Sequence, residues 1–372
     1  MDKYTHLRSP LLTWNLAHKH IFIRADLNVP LRDGHIENDM RLQALRPTLD
    51  YIIERQGKIT LATHIGRPHD KESELSTNHL KPWFLDNGYQ NITLLENLRF
   101  DTRESSKNRS FAQELAKGMD YYINDAFASE HRSDTSLTIL PQLFDAQHRG
   151  IGLLVEHELR MLKTIKYAAQ KPFLLIMGGN KGMDKLPFVM HMLDKVSDIM
   201  LCPELIEPFL ILQGHARNVA PQLVNLAHDI LQKAEQNGVT IHLPIDYLTS
   251  THGWQGPCIY KNAQTITPTD MIISCGPRTI EQWRPYITQA KTIFFNGPMG
   301  DLEYPQTTLE LESVLRIVAR SSALTVIGGG SSIAALKSFN LVHDVDFCST
   351  GGGATLAYLS DQPLPGLDAL IG

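Results

Sequence analysis

A repeated rhythm constrains this chain most: a short β-branched run, a glycine or polar turn, then an amphipathic stretch. Such runs at 20–27, 58–64, 91–97, 120–126, 172–178, 240–246, 291–297 and 324–330 are nearly continuous in apolar residues. A strand that is apolar on both faces must be covered on both, which a parallel sheet flanked by helices achieves. The intervening segments have helical period; in 41–53, Leu42, Leu45, Leu49, Ile52 and Ile53 fall on one face. The pattern predicts an α/β fold of two doubly wound, Rossmann-like parallel-sheet domains. A length of 372 residues agrees, since it exceeds one ordinary core. The expected division is 1–154, a hinge helix over 155–171, 172–348, and a closing segment 349–372. Val155, Leu159, Leu162 and Ile165 give the hinge helix one apolar stripe, and Pro172 ends it.

Composition narrows the function by exclusion. At 42% hydrophobic and 20% charged residues, this is a globular composition. No apolar run approaches the ~20 residues of a membrane span. The first twenty residues lack the apolar core of a signal peptide, so a cytoplasmic location and no membrane partner are expected. A net charge of −5 argues against a nucleic-acid partner. The deficit is uneven: residues 1–170 hold 22 basic and 22 acidic side chains, the remainder 13 and 18. Cys202, Cys258, Cys275 and Cys348 are far apart, with no CxxC pair, and read as buried thiols rather than disulfides or a zinc site.

The informative residues of the first half follow strands. RADLNVP sets Asp26 and Asn28 past the first, with Arg41 near the start of the next helix; THIGRP supplies His64 and Arg67 after the second. ENLRF supplies Arg99 after the third, and NDAFASEHR supplies Arg132 after the fourth. Open α/β sheets bind ligands beyond the carboxyl ends of their strands. Four arginines and a histidine at that edge make a positive concavity, and guanidinium forks match phosphate and carboxylate oxygens. Any one of these residues alone reads as a surface ion-pair partner or a turn residue; the constellation indicates a small anionic ligand.

The second half offers glycine turns. GGNKGMDKLP (178–187) follows a strand and opens a helix, so Gly179, Lys181 and Lys185 suit a phosphate. It is no Walker A loop. GGGSS at 328–332 is a second such turn, with Ser331 or Ser332 available as helix N-cap, and STGGGA at 349–354 a third. None fits GxGxxG followed by an acidic residue about twenty positions on, which disfavours a dinucleotide dehydrogenase. Together they favour a polyphosphate.

Taken in order, RADLNVPL, THIGRP, LLENLRF, NDAF-SEHR, GGNKGMDK, NGPMG-LE, the three glycines of 328–330, STGGGA and LPG at 364–366 resemble phosphoglycerate kinase nearly end to end. The resemblance implies a 3-phosphoglycerate-binding N-terminal domain and a C-terminal domain for Mg-ADP or Mg-ATP, closing about the hinge. It places Asp26, Asn28, Arg41, His64, Arg67, Arg99 and Arg132 on the triose acid, with Arg41 and Lys181 holding the transferring group. Lys181 and Lys185 would meet the nucleotide phosphates with Gly179, Asn296 and the backbone of Gly328, Gly329, Gly330, Ser331 and Ser332, and Glu303 the ribose. It further implies Mg²⁺ carried by the nucleotide, ADP/ATP and 3-phosphoglycerate/1,3-bisphosphoglycerate as partners, a monomer, and a closing segment that returns to the first domain.

Two positions depart from the family pattern. Ser331 stands where the family usually has the aspartate that handles magnesium, which leaves the metal ligands unassigned. Asp301, which the family usually leaves apolar, is a candidate replacement. In 198–214, Cys202-Pro203-Glu204 replaces a glycine-rich turn of the nucleoside pocket, and Ser274 replaces another aspartate. Three readings stay open: an active kinase, an impaired triose-phosphate-binding relative with a regulatory role, and a relative with altered nucleotide preference.

Overall fold

The computed structural model describes residues 3–4, 6–179 and 182–371; within helices, the side chains of 182–184 and 204 are not described. Lys181 therefore lies outside the described residues. The chain divides into two compact units, residues 1–163 with 353–372, and residues 164–352.

The first unit is built on a five-stranded parallel sheet in the order Ile92–Leu94, Lys58–Ala62, His20–Ala25, Tyr121–Asp125, Arg149–Ile151. The central strand is buried from Ile21 to Ala25, as its unbroken apolar run requires. Helix Met40–Glu54 packs on the sheet through Leu42, Leu45, Leu49 and Ile52, all at most 1% exposed. Ile53, expected on that face, is 39% exposed, because it lies one step past the stripe at the helix end. Of the closing segment expected over 349–372, residues 353–372 belong to this unit: Tyr4 donates its hydroxyl to Asp368 at 2.7 Å, and Gly366 N–H donates to the Glu130 carbonyl at 3.1 Å.

The second unit has a six-stranded parallel sheet, Thr240–His242, Asp198–Leu201, Phe173–Met177, Thr292–Asn296, Leu324–Gly328, Phe347–Ser349. Its order is that of a doubly wound nucleotide-binding sheet, reversing direction beside the first strand. A three-stranded antiparallel sheet, Ile259–Asn262, Asp246–Ser250 and Met271–Cys275, joins it. The run expected over 240–246 is in fact two strand pieces, broken by Pro244, whose ring denies the ladder a donor. Cys202 and Cys275 are buried thiols, but Cys258 and Cys348 are partly exposed. Among the described residues no helix is long and apolar enough to cross a membrane.

The helix that follows the first unit's sheet spans Leu153–Tyr167, shorter at its end than the periodicity suggested, with Val155, Leu159, Leu162 and Ile165 buried. Its first turn sits on Asp125: the carboxylate accepts the Val155 N–H at 3.0 Å and the Thr48 hydroxyl at 2.5 Å. Burial pushes the Asp125 pKa up to about 7, against those hydrogen bonds. A carboxyl whose folded pKa exceeds its unfolded value stabilises the fold fully below the unfolded pKa, and that stability is lost as pH rises through the folded one. The thermal midpoint of Asp125→Asn minus that of wild type should therefore climb between about pH 4 and pH 7 and level off above. A flat difference across that window would show that Asp125 does not titrate there.

Candidate active site

In the first unit the loops at the strand ends are tied to one another. Asp26 accepts the Asn28 N–H at 3.1 Å and the Ser129 hydroxyl at 2.8 Å, and it forms an ion pair with Arg41. Ser129 follows the strand Tyr121–Asp125, so this contact spans the point where strand order reverses. Burial alone would raise the Asp26 pKa; the charges of Arg41 and Arg24 and the Ser129 bond outweigh it and hold the carboxyl below the usual range. The Asn28 side-chain oxygen accepts the Gly66 N–H at 2.8 Å, joining the first loop to the second.

His64 is buried, and its Nδ1 lies 3.2 Å from an Arg24 guanidinium nitrogen. A guanidinium only donates, so Nδ1 accepts and the ring proton sits on Nε2. Burial, with Arg24 and Arg99 nearby, pushes the His64 pKa down to about 3 despite Asp26. His64 is thus a neutral donor through Nε2. Arg99 donates to the Gly66 carbonyl, and burial together with the charge of Arg132 lowers its pKa to about 10. It stays protonated.

The structure brings Arg67, Arg99 and Arg132 to the wall of one cavity of about 380 Å³. Asp26, Asn28, Arg41 and His64 do not line it; they form the hydrogen-bonded layer that ties its loops. Sequence reading missed Arg24, Ser129, Glu104 and Asp134. Arg24 carried a signal: it is a charge inside the apolar run IFIRA, fully buried, and its Nε donates to the Ser136 hydroxyl at 2.8 Å. Asp134 and Glu104 had none, because a carboxylate in a polar loop looks like solvated surface.

In the second unit the cavity lies at the strand-order reversal, between the ends of Phe173–Met177 and Thr292–Asn296. It measures about 460 Å³, and Gly179, Lys185, Asn296, Gly329, Gly330, Ser331 and Ser332 line it. Lys185 donates its ammonium to the Gly178 carbonyl at the rim. Gly329, at φ +89°, is the N-cap of helix Gly330–Ser338, so the helix starts one residue before the serines expected to cap it. Ser331 is left exposed in the cavity, while the buried Ser332 hydroxyl accepts the Gly297 N–H at 2.9 Å. Two expected residues do not line the cavity: Gly328 turns toward the Asn296 side chain, and Glu303 is exposed, its N–H donating to Asp301 at 3.0 Å.

Strand Asp198–Leu201 leads directly into helix Pro203–Leu212, whose Leu205, Ile206, Phe209 and Leu210 are buried. This segment lines no part of the phosphate cavity. Ser274 is buried on strand Met271–Cys275.

Comparison with known proteins decides the family. The profile of the family described as phosphoglycerate kinase matches residues 11–85 and 85–362. The chain belongs to the phosphoglycerate kinase family. Curated phosphoglycerate kinases agree: that of Bdellovibrio bacteriovorus is 32% identical over 96% of each chain. That of Acidobacterium capsulatum is 33% identical over 96% of this chain and 97% of its own. The solved phosphoglycerate kinase of Coxiella burnetii superposes with a TM-score of 0.82 at 28% identity, covering 96% of this chain and 97% of its own. That of Pyrococcus horikoshii gives 0.81 at 26% identity, over 97% and 98%. As a phosphoglycerate kinase, the chain is a transferase with a carboxyl group as acceptor. The two cavities are the candidate seats of its acid and its nucleotide.

Proposed function

We propose that the chain transfers a phosphoryl group reversibly between 1,3-bisphosphoglycerate and ADP, giving 3-phosphoglycerate and ATP, as a cytoplasmic monomer. The observation that carries this reading is the convergence of Arg67, Arg99 and Arg132 on one cavity, each from a different strand-end loop. Three forks around one space suit the phosphate of a triose acid, and the neutral His64 in the layer behind them adds no charge of its own. The second cavity suits a polyphosphate: helix Gly330–Ser338 opens into it, and Lys185 adds a cation.

Direct transfer needs no covalent intermediate; positioning and charge neutralisation supply the catalysis. Arg41 and Lys181 are assigned to the transferring group, and closure about the hinge, as the family implies, would keep water from the acyl phosphate. Water attack would waste it.

Among the described residues no three His, Cys, Asp or Glu side chains gather into a metal site, so a resident metal does not fit. A magnesium ion carried by the nucleotide does, since such an ion needs only one or two carboxylates beside phosphates and water. Asp301 is the carboxylate on the cavity wall, with the Ser331 hydroxyl also exposed there. Bound there, the ion would neutralise phosphate charge. Asp301→Asn should raise severalfold the magnesium needed for half-maximal rate and weaken Mn²⁺ binding to the ADP complex, read by electron paramagnetic resonance. Ser331→Asp should do the reverse. Two silent variants would assign the ion wholly to the phosphates.

A coupled assay of ATP formation from 1,3-bisphosphoglycerate and ADP tests the reading. Turnover no greater than that of Lys181→Ala would leave a triose-phosphate-binding protein instead. Turnover restricted to another nucleoside diphosphate would make the chain a relative with altered nucleotide preference.

A further inference from the structure

The arginine cavity has an acidic member that the proposed reaction does not use. Asp134 is 5% exposed and stands at the N-cap of the short helix Thr135–Thr138, yet its side chain makes no capping hydrogen bond. An aspartate there ordinarily accepts from the first turn of its helix. Asp134 turns instead to the arginines: one oxygen lies 2.9 Å from Arg132 Nε, the other 3.3 Å from Arg132 Nη2. Arg99 Nη2 lies 3.9 Å from the first of these oxygens. One buried carboxylate thus takes a two-point grip on Arg132 and stands beside Arg99.

The remaining charges sharpen its part. Of the other acids on the wall, Asp101 is engaged by Arg103 at 2.7 Å. Glu104 accepts the Ser136 hydroxyl at 2.6 Å, and burial favours its neutral form. Asp134 is therefore the wall carboxylate that faces two of the three guanidiniums directly. Without it, Arg99 and Arg132 would repel across the cavity, and Arg132 would lose its fixed direction.

We propose that Asp134 is a positioning residue of the acid cavity, aligning the Arg132 fork and setting Arg99 beside it so that the trio recognises a phosphate monoester. This rests on the assignment of the cavity to the triose acid. In Asp134→Asn, the KM for 3-phosphoglycerate should rise about tenfold, equivalent to ~1.4 kcal/mol, with kcat falling by a smaller factor. The inhibition constant for inorganic sulfate, a round anion that needs no aligned fork, should rise less than that KM. A KM unchanged or lowered would overturn the proposal, as would equal losses in kcat and affinity for both anions. Asp134→Glu keeps the charge and displaces the carboxylate by one methylene; should the asparagine variant fail to fold, an unchanged KM in the glutamate variant overturns it too. Calorimetry on the wild type separates the two levels. No binding of 3-phosphoglycerate there removes the assignment itself, whereas wild-type binding with an indifferent Asp134→Asn removes only the role of Asp134.

Discussion

Arg41→Ala should lower phosphoryl transfer by about three orders of magnitude, the low end of what an arginine on a transferring phosphoryl group contributes. The guanidinium is assigned to the group in flight, and its ion pair with the partly buried Asp26 fixes where it points. The loss should fall mainly on kcat, because the interaction strengthens as charge develops. Arg41→Lys should recover only part of it, since an ammonium is a point charge and cannot fork. Removing Arg41 also leaves Asp26 short of a cation. Breaking a fully buried pair costs ~3–5 kcal/mol, and here less, because the Arg41 side chain is 27% exposed and Arg24 and Ser129 still hold the carboxylate. A thermal midpoint measured beside kcat separates the two effects. A loss of kcat below tenfold in a folded variant would remove Arg41 from the reaction.

Gly297→Ala should be the most damaging single methyl group in the nucleotide half. Gly297 sits at φ +91°, and a Cβ there would lie 1.9 Å from the Gly178 carbonyl oxygen and 2.5 Å from the Lys185 ammonium. The first is backbone at the end of a central strand and cannot yield; the Lys185 ammonium could swing aside only by giving up the Gly178 carbonyl. Strain at a positive φ adds ~1 kcal/mol or more. Loss of soluble protein or of ADP binding is expected. Gly330→Ala is its counterpart. Gly330 is helical, and its Cβ would meet nothing within 4 Å. That variant should fold as wild type yet bind ADP more weakly, because the methyl group enters the phosphate cavity. Normal ADP affinity in Gly330→Ala would move the phosphates away from this helix start.

Much of this was legible before any coordinates. Continuous apolar runs such as IFIRA and FLLIM could only be strands buried on both faces, and each appears as one. Arg67, Arg99 and Arg132 were legible as a group because strand ends of a parallel sheet share one edge. Less legible were residues whose role depends on a distant partner. Nothing in HRSDTS tells whether Asp134 faces solvent or a guanidinium. The two serines after the glycines looked alike, yet Ser332 is spent on the Gly297 N–H and Ser331 is free in the cavity.

The sequence by itself therefore determined the α/β class, the family and the residue types of both sites, because hydrophobic periodicity and ordered motifs are local properties of the chain. Only the tertiary structure decided which of those residues meet. It separated the arginines that line the acid cavity from the Asp26, Asn28 and His64 layer that ties its loops. It fixed the proton of His64 on Nε2 and raised Asp125 to about 7. Burial and the charges of sequence-distant neighbours set protonation and aim, and the packed sheets are what supply both.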